Sequence, residues 1–109
     1  MTDSFIVVAT AADEIAAAHP VEPARISTAR LLKADGVRLM HLALDAGEAL
    51  TEHTAAVPIT VQCLEGRFRF EADGRVVELA PGGIVYVAAR VPHAVHALDA
   101  GRLLLSLHG

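Results

Sequence analysis

Short apolar runs broken by turn-forming residues extend through most of the chain and predict a largely β structure. From Ile26 onward the chain has eight such runs of four to eight residues, and the breaks between them carry Gly, Pro or Asp. The runs are Ile26–Leu32, Val37–Leu44, Ile59–Leu64, Phe68–Glu71, Val76–Leu79, Ile84–Ala88, His93–Leu98 and Leu103–Leu107. Regularly spaced short strands of this kind are typical of an all-β sandwich or barrel.

The N-terminal part of the chain has a different pattern. Residues 11–18 are good helix formers with acidic residues near the start, and the His19-Pro20 pair would end a helix there. No repeat or linker interrupts the chain after this point. We therefore expect residues 1–24 to form an N-terminal strand and a short helix, and residues 25–109 to form the barrel of a single-domain protein.

Alternation within the strands predicts which side chains face the core, because successive side chains of a strand point to opposite faces. In the run 57–64 the inward set is Val57, Ile59, Val61 and Cys63. In the run 91–98, His93 shares a face with valines and should point inward, whereas His96 should point outward. The run 37–44 gives a weaker signal, in which His41 shares a face with Val37, Leu39 and Ala43.

Charge and cysteine content exclude several classes of protein. The net charge of −4 and the lack of a basic stripe argue against a nucleic-acid binder. No apolar run reaches the ~20 residues that span a bilayer, and the N-terminus does not resemble a secretory signal. The single Cys63 excludes an internal disulfide framework, and its inward position predicts a buried, inert thiol. We expect a cytoplasmic protein without a nucleic-acid or membrane partner.

Two motifs resemble those of the cupin superfamily. Gly47, His53 and Gly66 fall on the spacing of the first cupin motif, and Pro81, Gly83 and His93 follow the order of the second. With the flanking strands, the resemblance covers about Ile26 to Leu107. It implies an all-β, cupin-type jelly-roll β-barrel with a short N-terminal helix. The length of the chain and its glycine-containing turns agree with that architecture.

The resemblance is weakest where cupins bind metal. Cupin metal centres typically use three His and one Glu, but here the second His position holds Ala55 and the Glu position holds Ile59. The Asn position that follows the last His holds Ala97. Only His53 and His93 remain, and two imidazoles are fewer ligands than divalent-metal sites usually have.

Two further residues are candidates for the site that the resemblance implies. His41, if it points inward, would complete a three-nitrogen site with His53 and His93 for zinc, nickel, manganese or iron; the alternative is a half-exposed strand histidine. Tyr86 would place a hydroxyl in the pocket, although a strand tyrosine more commonly packs against its neighbours.

The sequence therefore predicts a small cupin that binds a small molecule in the barrel through His53 and His93, with a divalent metal as an optional component. One alternative is a cupin-superfamily enzyme, either an isomerase or epimerase or a dioxygenase-like protein. Another is a non-catalytic sensory or structural cupin. Small cupins are often homodimers, and apolar strand faces would suit such a partner.

Overall fold

The computed structural model describes residues 4–109, which form one helix and nine strands. The elements are α1 Ala12–Ala18, β1 Ile26–Ala34, β2 Val37–Leu44, β3 Ala49–His53, β4 Ile59–Glu65, β5 Phe68–Ala72, β6 Arg75–Leu79, β7 Ile84–Val87, β8 His93–Ala97 and β9 Gly101–Leu107. The all-β prediction with one short helix is confirmed.

The strands form two antiparallel sheets that enclose the hydrophobic core. The five-stranded sheet has the order β1-β2-β9-β4-β7, and the four-stranded sheet has the order β3-β8-β5-β6. The largest fully buried apolar side chains are Leu44, Phe68 and Leu103. Since Leu44 and Leu103 come from one sheet and Phe68 from the other, the core is built from the inner faces of both sheets.

The predicted alternation of β4 and β8 is confirmed. Ile59, Val61 and Cys63 are buried, and so is His93 on β8. His96 lies on the opposite face of β8 and is half-buried. The register of these strands therefore brings His93 into the interior.

Strand β3 contains an irregularity that decides which of its side chains faces β8. Leu50 lies opposite Val95, but three residues later His53, rather than Glu52, lies opposite His93. One extra residue of β3 is therefore accommodated between these two pairs, as in a β-bulge. As a result His53, and not Glu52, is directed to the face on which His93 lies.

At the end of the sandwich away from His53 and His93, the turn after β4 packs closely against the turn before β9. A Cβ atom placed on Gly101 would overlap the carbonyl oxygen of Glu65 and would lie 3.0 Å from the Phe68 ring. A Cβ on Gly66 would lie 2.6 Å from the carbonyl oxygen of Ala100, and Gly66 has a φ of +82°. The absence of a side chain at both positions allows this contact.

The N-terminal segment contains the predicted helix and lacks the predicted strand. Helix α1 begins at Ala12 and ends at Ala18, close to the predicted bounds. No strand forms within residues 4–24, and positions 1–3 lie outside the described residues. Of the helices in residues 4–109, none has the length and apolar character needed to cross a membrane.

Candidate functional site

His53 and His93 meet at the end of the sandwich where β3 ends and β8 begins. They are register partners across the two strands, and their ring centroids lie 4.3 Å apart with an interplanar angle of 63°. The expectation that two histidines forty residues apart become neighbours is met by this geometry. We call them the mouth pair.

Both rings of the mouth pair have the same fixed tautomer. The Nδ1–H of His53 donates to the carbonyl oxygen of Thr51 at 2.8 Å, and the Nδ1–H of His93 donates to that of Val91 at 2.9 Å. Because a carbonyl oxygen can only accept, each Nδ1 must carry the hydrogen. Each Nε2 of the neutral rings therefore has a free lone pair that can accept a hydrogen bond, accept a proton or bind a metal ion.

The two members of the pair differ in their surroundings. His93 is only 6% exposed and is stacked on Phe70, with ring centroids 6.0 Å apart and an interplanar angle of 10°. His53 is exposed. The mouth pair therefore consists of one imidazole that is packed in the core, His93, and one that is exposed to solvent, His53.

The cavity inside the barrel beside the mouth pair is very small. It has a volume of about 30 Å³ and is lined mainly by aliphatic side chains, together with Phe70 and both histidines. Pockets that hold a small molecule usually have at least ~300 Å³. Core side chains from both sheets fill the barrel, so the cavity beside the mouth pair is too small for the ligand that was predicted to bind inside it.

A larger cleft lies on the outer side of the mouth. It has a volume of about 570 Å³ and is bordered by the turn at Asp73-Gly74, by residues 90–92 and by His93. Its charged lining residues are Glu52, Glu71, Asp73, Arg75 and Arg90. His93 thus lines both the small inner cavity and this open cleft.

His41 does not join the mouth pair, and the expectation of a three-histidine site is wrong. Its neighbour Leu42 packs in the core, so His41 points to the outer face of the five-stranded sheet. There it is completely buried and its Nδ1 lies 2.7 Å from the Nδ1 of His19. The cause is strand parity, because the core face of β2 belongs to Leu42 and Leu44.

Tyr86 is also outside the site. It lies on the outer face of the edge strand β7, opposite Thr60, and is 65% exposed. The core face of β7 is occupied by Val85 and Val87. Since all four residues of β7 are apolar or aromatic, the sequence pattern gave no sign of which pair would face outward.

Comparison with known families identifies the fold. The cupin domain family model matches residues 39–107, which is more than half of the chain. This chain belongs to the cupin domain family. No curated protein shows significant sequence similarity to this cupin.

Solved structures agree with that assignment. A conserved Streptococcus pyogenes protein of unknown function is 18% identical, with a TM-score of 0.80, and the match covers 99% of this chain and 90% of that one. An RmlC-like cupin from Desulfovibrio desulfuricans is 19% identical, with a TM-score of 0.71 and coverages of 99% and 96%. KdgF from a Halomonas species is 22% identical, with a TM-score of 0.69 and coverages of 82% and 81%. These likenesses show a small, single-domain, RmlC-like cupin fold.

The donor set at the mouth does not fit the four-ligand metal centre that the family implies. Ile59, at the Glu position, is buried in the core, and Ala55 packs against the same cluster. Among residues 4–109, no group of three or more His, Cys, Asp or Glu side chains is arranged to hold a metal ion. The mouth pair alone remains, as two nitrogen donors.

Sequence reasoning missed one cluster of polar residues. His19, which the sequence marked only as the end of a helix, approaches both His41 and Ser27. Arg102 is 9% exposed and paired with Glu65 at 3.0 Å. Strand periodicity cannot reveal a contact between the N-terminal segment and a sheet. One feature of the sequence pointed to this cluster: His41 and Arg102 are polar residues within apolar stretches, which is unusual for exposed positions.

Proposed function

We propose that this cupin binds a small molecule at the mouth pair from the outer cleft, without a resident metal. The observation that carries the proposal is the fixed tautomer of both rings, which leaves two Nε2 acceptors on neighbouring imidazoles. His93 lines the cleft, and His53 adjoins it next to the lining residue Glu52. The cleft supplies the volume that the interior lacks, and its size is within the usual range for small-molecule sites.

The chemistry of the mouth selects the class of ligand. Two neutral Nε2 atoms accept hydrogen bonds, so the ligand must bring donors such as hydroxyl or ammonium groups. The cleft has three acidic residues against two arginines, which gives it no excess of positive charge. A neutral or cationic molecule with hydroxyl or amine groups therefore fits better than an anion.

Protein-observed NMR of the histidine ring signals, titrated with a set of small polyols and amino alcohols, tests this proposal. We expect binding fragments to shift the imidazole signals of His53 and His93 in the wild type and to lose affinity at least tenfold in His53→Ala. His108→Ala is the matched control, because His108 is an exposed histidine bonded to Thr60 instead. Fragments that bind His53→Ala and the wild type equally would contradict the proposal.

Metal analysis of protein prepared without a histidine tag tests the metal-free part. We expect less than stoichiometric metal after purification, and no increase in the melting temperature with added zinc, nickel or manganese. A stoichiometric metal that is lost in both His53→Ala and His93→Ala would show that two imidazoles and outside ligands are enough to bind it.

We also propose that the protein self-associates, because apolar side chains are exposed on its surface. Phe5 is 82% exposed and is followed by three further exposed apolar residues, Ile6, Val7 and Val8; Ile84 and Tyr86 project from the edge strand β7. These are two exposed apolar surfaces, and exposed apolar surfaces mark sites of protein–protein contact. Strand β7 also carries no charged residue to discourage pairing.

Sedimentation velocity of the wild type and of Val7→Asp tests self-association. We expect a dimer for the wild type at micromolar concentration and a monomer for Val7→Asp. Val76→Asp is the matched control, since Val76 is also exposed but lies on β6 of the other sheet. A wild-type monomer, or equal dissociation by both substitutions, would contradict this proposal.

A further inference from the structure

The contact between His19 and His41 joins the N-terminal segment, which we define as residues 4–23, to the outer face of the five-stranded sheet. The Nδ1 atoms of the two rings are 2.7 Å apart, and the Nε2 of His19 is 2.6 Å from the Oγ of Ser27. Within the described chain, the hydrogen bonds between this segment and the sheets come from His19. Helix α1 itself has no buried residue.

The weakness of the segment's other contacts makes this connection important. An isolated helix of seven residues is not stable in water, so α1 depends on being held against the sheet. Just after the segment, the backbone N–H of Ala24 donates to the carboxylate of Asp45 at 2.6 Å and fixes the C-terminal end. His19, at the end of α1, is thus its attachment point.

Electrostatics decides which way the protons of the His19–His41 pair point. The buried Nε2 of His41 and the buried Nε of Arg102 both lack a hydrogen-bond partner in the described residues. An N–H at the Nε2 of His41 would add a second unsatisfied donor beside this guanidinium, whereas a lone pair there is favoured by the positive charge. The proton of neutral His41 is therefore on Nδ1 and donates to the Nδ1 of His19, which in turn donates from Nε2 to Ser27.

This proton order excludes Ser27 as an activated nucleophile. A general base must offer a lone pair to the serine hydroxyl, but the Nε2 of His19 carries a hydrogen when His41 donates to its Nδ1. By distance alone, Ser27, His19 and His41 resemble a nucleophile, a base and an orienting group. The charge of Arg102 reverses the direction in which the hydrogen bonds are donated. The pair is therefore suited to holding a segment in place rather than to catalysis.

We propose that the His19–His41 pair is an acid-sensitive latch that holds residues 4–23 against the sheet at neutral pH and releases them on protonation. A proton added to His19 removes the Nδ1 lone pair that accepts the hydrogen bond from His41. A proton added to His41 instead places an Nε2–H beside the charged Arg102. Two protons would put two N–H groups and two positive charges against each other at the Nδ1 contact. Release of the segment removes these unfavourable contacts, because both imidazoles then become solvated by water.

The groups around the latch support this direction of change. Burial, then His19, then Arg102 lower the pKa of His41 from 6.5 to about 4. Arg102 is itself paired with Glu65 on β4 at 3.0 Å, and the contact of His19 with β1 is to the neutral hydroxyl of Ser27. In the released state His41 recovers its ordinary pKa, so the released state binds protons more readily.

Residue-resolved hydrogen exchange by NMR tests the latch. The backbone N–H of His19 donates to the carbonyl of Ile15 at 2.9 Å, so its protection reports whether the end of α1 is intact. Between about pH 7.5 and pH 5.0, the shift in the pKa of His41 from 6.5 to about 4 predicts a roughly thirtyfold loss of this protection after correction for the intrinsic rate. Amides of the central strand β9 should remain much better protected than the His19 amide at both pH values.

Two variants separate the latch from general acid loosening. In His41→Asn the side-chain amide takes the place of Nδ1 and does not titrate. It can donate to neutral His19 or accept from protonated His19, so the protection of the His19 amide should change less than threefold between the two pH values. His19→Ala removes the attachment, so protection should be low at both pH values. His96→Asn, the same substitution in β8 of the other sheet, should behave as the wild type.

Three results would overturn the proposal. They are unchanged protection of the His19 amide in the wild type in acid, an equal loss in His41→Asn and in the wild type, and a His19 amide that is protected as strongly as those of β9. The last result would show that the end of α1 opens only when the whole molecule unfolds.

Discussion

His53 and His93 are register partners with rings 4.3 Å apart, yet only His93 is part of the packed core. Their contributions to stability should therefore differ although their chemistry is the same. His93→Ala removes the stacking on Phe70 and the bond to Val91, and we expect it to lower the free energy of unfolding by about 2 kcal/mol. His53→Ala should cost about 0.5 kcal/mol or less. Urea unfolding followed by circular dichroism measures both, and equal losses would contradict the difference in packing.

Acid should destabilise the protein through His41. Its pKa is lowered in the folded state, so the unfolded state binds more protons between about pH 6.5 and pH 4, and stability falls as the pH drops through that window. The shift corresponds to at most about 3 kcal/mol, and release of the N-terminal segment limits the loss further. Urea unfolding across this range should show a smaller loss in His41→Asn than in the wild type. A stability profile that is the same in both proteins would be evidence against this role of His41.

Cys63 should be unreactive in the folded protein. Its thiol is fully buried and donates to the carbonyl of Gly66 at 3.3 Å, and burial raises its pKa. We expect dithionitrobenzoate to modify it at least a hundredfold more slowly in native buffer than in urea, since both thiolate formation and access require opening. Comparable rates in the two conditions would show that β4 opens readily.

The contact between the turns at Gly66 and Gly101 should tolerate no side chain. Gly101→Ala places a methyl group against Glu65 and Phe68, and we expect a loss of about 3 kcal/mol from overpacking. Gly74→Ala is the matched control: it also lies in a turn, but a Cβ there meets nothing within 4 Å, and the strain of its φ of +71° should cost only about 1 kcal/mol. Thermal unfolding of the two variants compares them, and a smaller loss for Gly101→Ala would contradict the close approach.

Much of the fold could be predicted because β4 alternates clearly between apolar and polar positions, and because Val91 and Val95 mark the face of β8 on which His93 lies. These patterns correctly placed Ile59, Val61 and Cys63 in the core and directed His93 inward. Strand β7 gave no such signal, because Ile84 is as apolar as the two valines and the ring of Tyr86 is suited to either face. Its outward face was decided by the register with β4, which the sequence of β7 does not contain.

The candidate site was predictable only in part, for similar reasons. The spacing of the two motifs brought His53 and His93 together, but nothing in the sequence indicated that core side chains would reduce the inner cavity to about 30 Å³. Packing density depends on both sheets at once. The partner of His41 was equally hidden, because His19 reaches it from outside the strands.

The irregular register of β3 makes the chemistry of the mouth depend on chain length as well as on residue type. With an even register after Leu50, Glu52 would stand opposite His93 in place of His53. Deleting Thr51 and straightening the strand would keep His53 opposite His93, whereas straightening the strand without a deletion would exchange the imidazole for the carboxylate of Glu52. One extra residue in this short strand therefore decides whether His93 faces a second nitrogen base or a carboxylic acid.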